Sequence, residues 1–443
     1  MNRFIAISIL LISQCLVYGQ ATDNSIFSRF GIGDIVSPGY SSFTAMGGAA
    51  SGYYTDYTIN NVNPASYSRL TTAAFDIGLS ARNFQTDIAG TSGSRLWSGN
   101  LDNVAIAFPL RNSINKALNP LTRPTDFGMA FGINPISRIG YNVSSIEADG
   151  DLGNVERNYT GFGGLYKFYW GTSMEYKNFS AGINANMIFG RLNYEKNILF
   201  IDIPAAFSNL FSTSYNAQGL GLDYGVMYTY IFDEANLDQN VVGNKLTVGV
   251  HGSTGTNLSA SADVENVLFQ NFSTVTITDT LQAQTDIEGE LKLPSNIGVG
   301  VSYQQGLKWA ISVAYTTTPW SNYNNSIIEE TLRDVNSFNI GGWYTPNAKS
   351  YTSYFKRIRY KVGAFYRTEP TQISQSEAGA EVDHFGITLG TQLPFVSQRK
   401  ISRADISATL GYKGNDYINE RYIGLKFGFT FNDDQWFLKR KYN

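Results

Sequence analysis

Cysteine occurs once in the 443 residues, at Cys15. A lone thiol forms no internal disulfide and builds no thiolate metal site. Histidine is almost as scarce, with only His251 and His384. Two imidazoles without a cysteine partner make a poor zinc set. No Ser-His-Asp spacing supports a hydrolytic triad around either, so the sequence points to no catalytic residue, no metal and no cofactor. The glycine-rich stretch GGAASG (47–52) lacks the Lys-Ser/Thr of a phosphate loop. Charge is sparse as well, at 16% of residues, against about 25% in average domains. The 33 basic residues do not outnumber the 36 acidic ones, which argues against nucleic-acid binding. After residue 20 no apolar run reaches the ~18 residues of a membrane-spanning helix.

The first twenty residues carry an export pattern. Arg3 supplies the basic start, Ile5 to Val17 the apolar run, and Tyr18-Gly19-Gln20 a cleavage region. The run is too short for a bilayer anchor, which takes about 20 residues. Residues 1–20 are therefore expected to be a signal peptide, and the one cysteine leaves with it.

What the chain has in abundance is aromatic and small: 28 Tyr, 28 Phe, 6 Trp and 43 Gly. It arranges them with a period of two. In 179–189, Phe179, Ala181, Ile183, Ala185, Met187 and Phe189 alternate with Ser180, Gly182, Asn184 and Asn186. In 297–304, Ile297, Val299, Val301 and Tyr303 alternate with Gly298, Gly300, Ser302 and Gln304. Soluble sandwiches alternate too. Here, however, the apolar faces carry aromatics near their ends, and the opposite faces are Gly, Ser, Thr and Asn. That combination predicts a transmembrane antiparallel β-barrel with a polar interior and aromatic girdles.

Fifteen such runs lie between Ala73 and Phe431. Single-chain bacterial barrels have an even number of strands. Fusing the third and fourth runs into one strand broken at Pro135, where the ladder loses a donor, gives fourteen. Short turns at Lys177-Asn178 and Gly306-Leu307 mark one end; long loops at Tyr194–Leu220 and Ser259–Ser295 are expected at the other.

Residues 21–72 precede the first strand. They are too Gly-rich for a stable helix, and the lumen of about fourteen strands is not filled by side chains alone. The segment, ending on Asn63-Pro64-Ala65, is read as a hatch folded inside the barrel; a disordered tail is the alternative. The domain order is then signal 1–20, hatch 21–72, barrel 73–431 and a C-terminal tail 432–443, with Trp436 and Phe437 as candidate interface anchors.

Several stretches together resemble the FadL/TodX family of outer-membrane transporters for hydrophobic compounds, in a Bacteroidota-like form. They are FSRFGIGD with AMGGAASGYYTDYTINNVNPASY, GGLYKFYWGTSMEYKNFSAGINANMIFG, LPSNIGVGVSYQQGLKWAISVAYTTTPWSNY, and RIRYKVGAFYR with HFGITLGTQLPF. The resemblance implies a fourteen-stranded barrel, a lumenal hatch, and an inward kink of the third strand that opens the wall sideways. Asn134-Pro135 matches that kink. It also implies an outer hydrophobic groove. The apolar cluster Leu199, Phe200, Ile201, Ile203, Phe207, Leu210 and Phe211 fits such a groove, or packs on the neighbouring loop around Val264, Val267, Leu268 and Phe269. Arg357, Arg359, Lys361 and Arg367 share one strand face, which is expected to point into the lumen. There they hold the carboxylate of a fatty-acid-like ligand or pair with hatch acids such as Asp34 or Asp56.

Two functions follow for a barrel in the lipid bilayer of the bacterial outer membrane. One is passive uptake of a small hydrophobic or amphipathic molecule. The other is a non-transport role as a subunit or plug of a larger outer-membrane complex, such as type IX secretion or outer-membrane protein assembly. The fold alone does not decide between them.

Overall fold

The computed structural model describes residues 25–37, 39–88, 91–111, 125–203, 206–232, 243–271, 275–328, 330–372, 380–397 and 400–435. The expected signal peptide and the tail aromatics Trp436 and Phe437 lie outside these residues.

A two-residue strand, β1 (Asp34–Ile35), belongs to the N-terminal segment. The wall begins with β2 (Ala73–Ile88), β3 (Thr91–Pro109), β4 (Thr125–Pro135) continued by β5 (Ser137–Asp149), β6 (Gly153–Tyr176), β7 (Phe179–Phe200) and β8 (Ser208–Ile231). It goes on through β9 (Lys245–Ser253) continued by β10 (Thr256–Asn271), β11 (Val275–Leu293) continued by β12 (Asn296–Gln305), and β13 (Trp309–Thr318). After the short β14 (Asn324–Asn325) come β15 (Val335–Tyr344), β16 (Arg359–Gln372), β17 (Glu381–Ser397), β18 (Lys400–Gly414) and β19 (Ile418–Asp433). Counting each continued pair once gives fourteen antiparallel staves. The last pairs with the first from Ile418↔Ile88 to Asp433↔Ala73, which closes the barrel.

Proline explains two of the three interruptions. β4 ends at Pro135, where the expected fusion of two runs falls. β11 stops before Pro294, directly across the ladder from the break at Thr254-Gly255 between β9 and β10. A residue without an N–H cannot continue the ladder, and two neighbouring staves bend together there.

Register places the aromatics in rows. Trp309, Tyr344 and Tyr360 stand side by side near the short-turn end, as do Tyr176, Phe179 and Tyr228. Tyr315, Phe338, Tyr366, Phe385 and Tyr412 form a second row toward the other end. Exposed Ile311, Ile340, Val362 and Leu389 fill the band between. Two aromatic girdles around an aliphatic band are what a lipid-facing wall presents.

One expectation is corrected. Tyr194–Leu220 and Ser259–Ser295 are not loops. β7 and β8 run on past the girdle and pair with each other, and β8 pairs with β10, which pairs with β11. These extensions rise from the barrel as a sheet, and water replaces lipid on their outer face. Their side chains therefore lose the aromatic-and-glycine signature while the backbone stays satisfied by neighbours.

Residues 25–72 lie within the barrel. Their side chains Phe27, Ile32, Tyr40, Phe43, Met46, Tyr53, Ile59 and Tyr67 are buried. The wall receives them on glycines. At Gly128, Gly182, Gly249, Gly341 and Gly363 a Cβ would overlap main-chain atoms of Tyr67, Pro64, Ser51, Met46 and Gly47 respectively. Gly300 accommodates the Gly52 main chain in the same way. Close approach of two main chains is the reason for glycine at these six positions; Gly225 instead makes room for the Asn63 side chain. Where β13 has no glycine, Ser312 Oγ donates to Ala49 O at 2.8 Å.

Candidate functional site

Three features define the bore: the seated segment, a set of buried ion pairs, and a cavity beside the break at Pro135.

Asn63 begins a short 3-10 turn, Pro64–Arg69, with proline in its first position. Its Oδ1 accepts from Ala65 N at 3.1 Å, and its Nδ2 donates to Ser51 O at 2.9 Å and to Val250 O and Val226 O of the wall at 3.2 and 3.3 Å. One carboxamide thus caps the turn and pins it to β8 and β9. Ala65 and Pro64 pack beneath, both buried. The segment also makes a piece of wall. β1 pairs Asp34 with Arg138 and Ile35 with Ser137, along the edge of β5 that faces β3.

The stripe residues separate. Lys361 is buried, 2.6 Å from Asp405, and donates to Ser42 O at 2.7 Å. Arg359 stacks on Trp343, 3.7 Å from its ring centre. Arg367 bonds Glu369 at 2.5 Å, and Glu369 also meets His384 Nδ1 at 2.8 Å. Arg357 departs from expectation. It lies in the 3-10 turn Phe355–Arg357 before β16 begins, exposed and over Tyr354. The sequence alternation extends one residue pair beyond the ladder there. Asp34 pairs not with the stripe but with Lys413 at 2.6 Å and Arg82 at 3.3 Å. Burial opposes its ionisation, yet Lys413 and then Arg82 hold its carboxyl below the usual range. Asp56 has no ion pair among the described residues. A third group joins Arg138 and Lys426 to Asp102 at 2.6 and 3.2 Å. Sequence reasoning missed Asp102, Asp405, Lys413 and Lys426, whose partners lie on other staves or on the N-terminal segment, and Glu369, which bonds Arg367 on its own stave and His384 on the next.

The expected groove residues are at the far end of the extensions. Leu199 and Phe200 end β7, Leu210 and Phe211 lie in β8, and Ile201, Ile203 and Phe207 are exposed in the connection. Leu210 stands opposite Val267 of β10, and Phe211 opposite Asn266. None of the seven lines the cavity. The buried apolar cluster at this end uses other residues: Ile139, Leu165, Ile188, Leu192, Tyr215, Leu258, Leu291, Leu293 and Trp320, with Ile32 of the N-terminal segment. Their inward alternation is visible in Leu291–Leu293, just before Pro294. Loop residue Glu330 accepts from Gly31 N at 2.9 Å, tying that cluster to the segment; burial raises its carboxyl above the usual range.

Below the cluster is a cavity of about 320 Å³. It touches Asn134, Pro135 and Ile136 on one side and Lys167, Asp223 and His251 on another. At this break the wall is incomplete. β3 pairs with β4 only from Val104↔Ile133 to Pro109↔Gly128. Beyond it, β5 pairs with β6 and β1, and among the described residues no ladder joins β5 to β3.

This fold has solved relatives. A Pseudomonas aeruginosa FadL homologue aligns with a TM-score of 0.56 at 12% identity, over 90% of this chain and 98% of that one. The Ralstonia pickettii toluene transporter TbuX gives 0.54 at 12%, over 89% and 98%. The Pseudomonas putida toluene transporter TodX gives 0.52 at 14%, over 90% and 99%. No curated protein matches. A family model described as BamG matches residues 1–443.

Proposed function

The chain belongs to the BamG family, and from this premise and the geometry of the bore we propose an outer-membrane conduit for small hydrophobic or amphipathic molecules. The observation that carries the reading is the missing ladder between β3 and β5, with the cavity lying against Asn134, Pro135 and Ile136. A wall gap at that point lets a molecule leave the bore sideways into lipid once the seated segment, whose β1 pairs with that edge of β5, shifts. The likeness to FadL and toluene-transporter structures supports the scaffold, and the passive route needs no energy source. Residues 25–72 act as the hatch, Asn63-Pro64-Ala65 as its anchor on the wall.

A second reading has its own support. Among the described residues the outer edge of β11 pairs at Leu291 and Lys292, opposite β14, with Ser326 bonding Glu290 beside them. Between Asp279 and Glu288 no other strand pairs with that edge among the described residues. From Thr256 to Leu291 the hairpin carries Asp263, Glu265, Asp279, Asp286, Glu288 and Glu290 and no Lys or Arg. A free edge of this charge accepts a basic extended segment by strand addition. This is compatible with membership of the BamG family and with a subunit of an outer-membrane protein-assembly machine.

Isolation from native membrane in mild detergent, with mass spectrometry of proteins and lipids together, separates the two. Copurifying amphipath near one per barrel and no stoichiometric protein supports the conduit. A partner held one-to-one, and lost when residues 264–285 are removed, would establish the second reading and displace the first.

A further inference from the structure

The conduit reading leaves the ligand unnamed, and the cavity beside Pro135 carries an inference about its class that rests on that reading. The cations on the cavity wall are already matched. Arg82 holds Asp34 at 3.3 Å, Lys167 holds Asp223 at 2.8 Å, Arg367 holds Glu369 at 2.5 Å and Lys426 holds Asp102 at 3.2 Å. A carboxylate entering here must break one of these pairs and leave a buried acid unpaired, which is strongly unfavourable.

The groups that remain unmatched are neutral. His251 is 7% exposed and Asn186 4%, and both line the cavity. Neither His251 Nδ1 nor Asn186 Oδ1 has a hydrogen-bond partner among the described residues, and the same holds for Asn134 Oδ1 at the wall break. Buried polar atoms without partners are costly, and three of them around one cavity define a cradle for hydrogen-bond donors. Thr254, Thr256 and Thr316 add hydroxyls to the same lining. Apolar side chains complete the lining: Ile136, Ile188, Leu293 and Trp320. The cavity thus pairs uncharged polar groups with apolar surface.

We propose that this cavity binds an uncharged amphipath with a hydroxyl-bearing head, of the long-chain alcohol or monoacylglycerol class, and not a carboxylate. The head meets His251, Asn186 and Asn134. The adjoining chain lies under Leu293 and Trp320, and the remainder passes through the break at Pro135.

The test uses the full-length protein in phosphatidylcholine nanodiscs at pH 8, titrated with monooleoylglycerol and with oleate. The expected result is at least tenfold tighter binding of monooleoylglycerol. An Asn186→Leu, His251→Phe double variant should lose at least tenfold for monooleoylglycerol and little for oleate; tenfold corresponds to about 1.4 kcal/mol. Oleate binding equally or more tightly would overturn the assignment and leave the conduit standing. Unchanged monooleoylglycerol affinity in the double variant would overturn it too. If the variant fails to give the heat-resistant band of a folded barrel, the preference of the unaltered protein decides. Monooleoylglycerol binding without transfer across proteoliposomes would instead remove the conduit and keep the site.

Discussion

A Gly128→Val, Gly182→Val double variant should still form the barrel but lose its seated N-terminal segment. Both glycines face the bore, where a Cβ would overlap the main chain of Tyr67 and Pro64. A side chain meeting another side chain can change rotamer; one meeting a carbonyl cannot. Overpacking typically costs ~1–3 kcal/mol per site, and these sites should fall at the upper end. The lipid-facing residues and the ladder are untouched, so the heat-resistant band in gels should persist. Protease should then cut within residues 41–69 at least tenfold faster, and single-channel conductance should rise above the unaltered protein. Unchanged cleavage and conductance would show that the segment does not depend on these contacts.

The second large effect is expected at Lys361→Met. Lys361 and Asp405 are each buried with 2% side-chain exposure. Removing the ammonium leaves Asp405 with Gln392 Nε2 at 3.1 Å and takes the donor from Ser42 O. Breaking a buried pair by deleting one partner costs about 3–5 kcal/mol. Urea unfolding from liposomes should record a loss of that order. Because the penalty is the stranded charge, Lys361→Met, Asp405→Leu should be more stable than Lys361→Met alone. A loss near the ~0–1 kcal/mol of exposed pairs, or no recovery in the double variant, would mean that water reaches the pair.

The comparison of sequence with structure divides along one line. Features specified by neighbours in the chain were legible. The alternation of 179–189 and 297–304 gave strands, and Pro135 gave the interrupted stave. Features specified across the barrel were not. Nothing near Lys361 in sequence announces Asp405, and nothing near Asp34 announces Lys413. Arg357 was misplaced because its alternation runs into a turn. The extensions of β7, β8, β10 and β11 looked like loops because their outer face carries no lipid signature. The apolar cluster at 199–211 drew attention by its density, while Leu192, Tyr215, Leu258 and Leu291 fill the interior one at a time from separate staves.

The glycine seat also decides how the inner segment can move. Main chain against main chain offers no interlocking side chains at the glycines, so axial position falls to the contacts between them. These include Lys413 with Asp34, Lys361 with the Ser42 carbonyl, Asn63 with the Val226 and Val250 carbonyls, and Arg69 with Glu175. The segment is held at successive points along its length. Releasing one should leave the others in place, so cleavage in the Lys361→Met protein should cluster around Ser42 and spare the residues near Asp34 and Asn63.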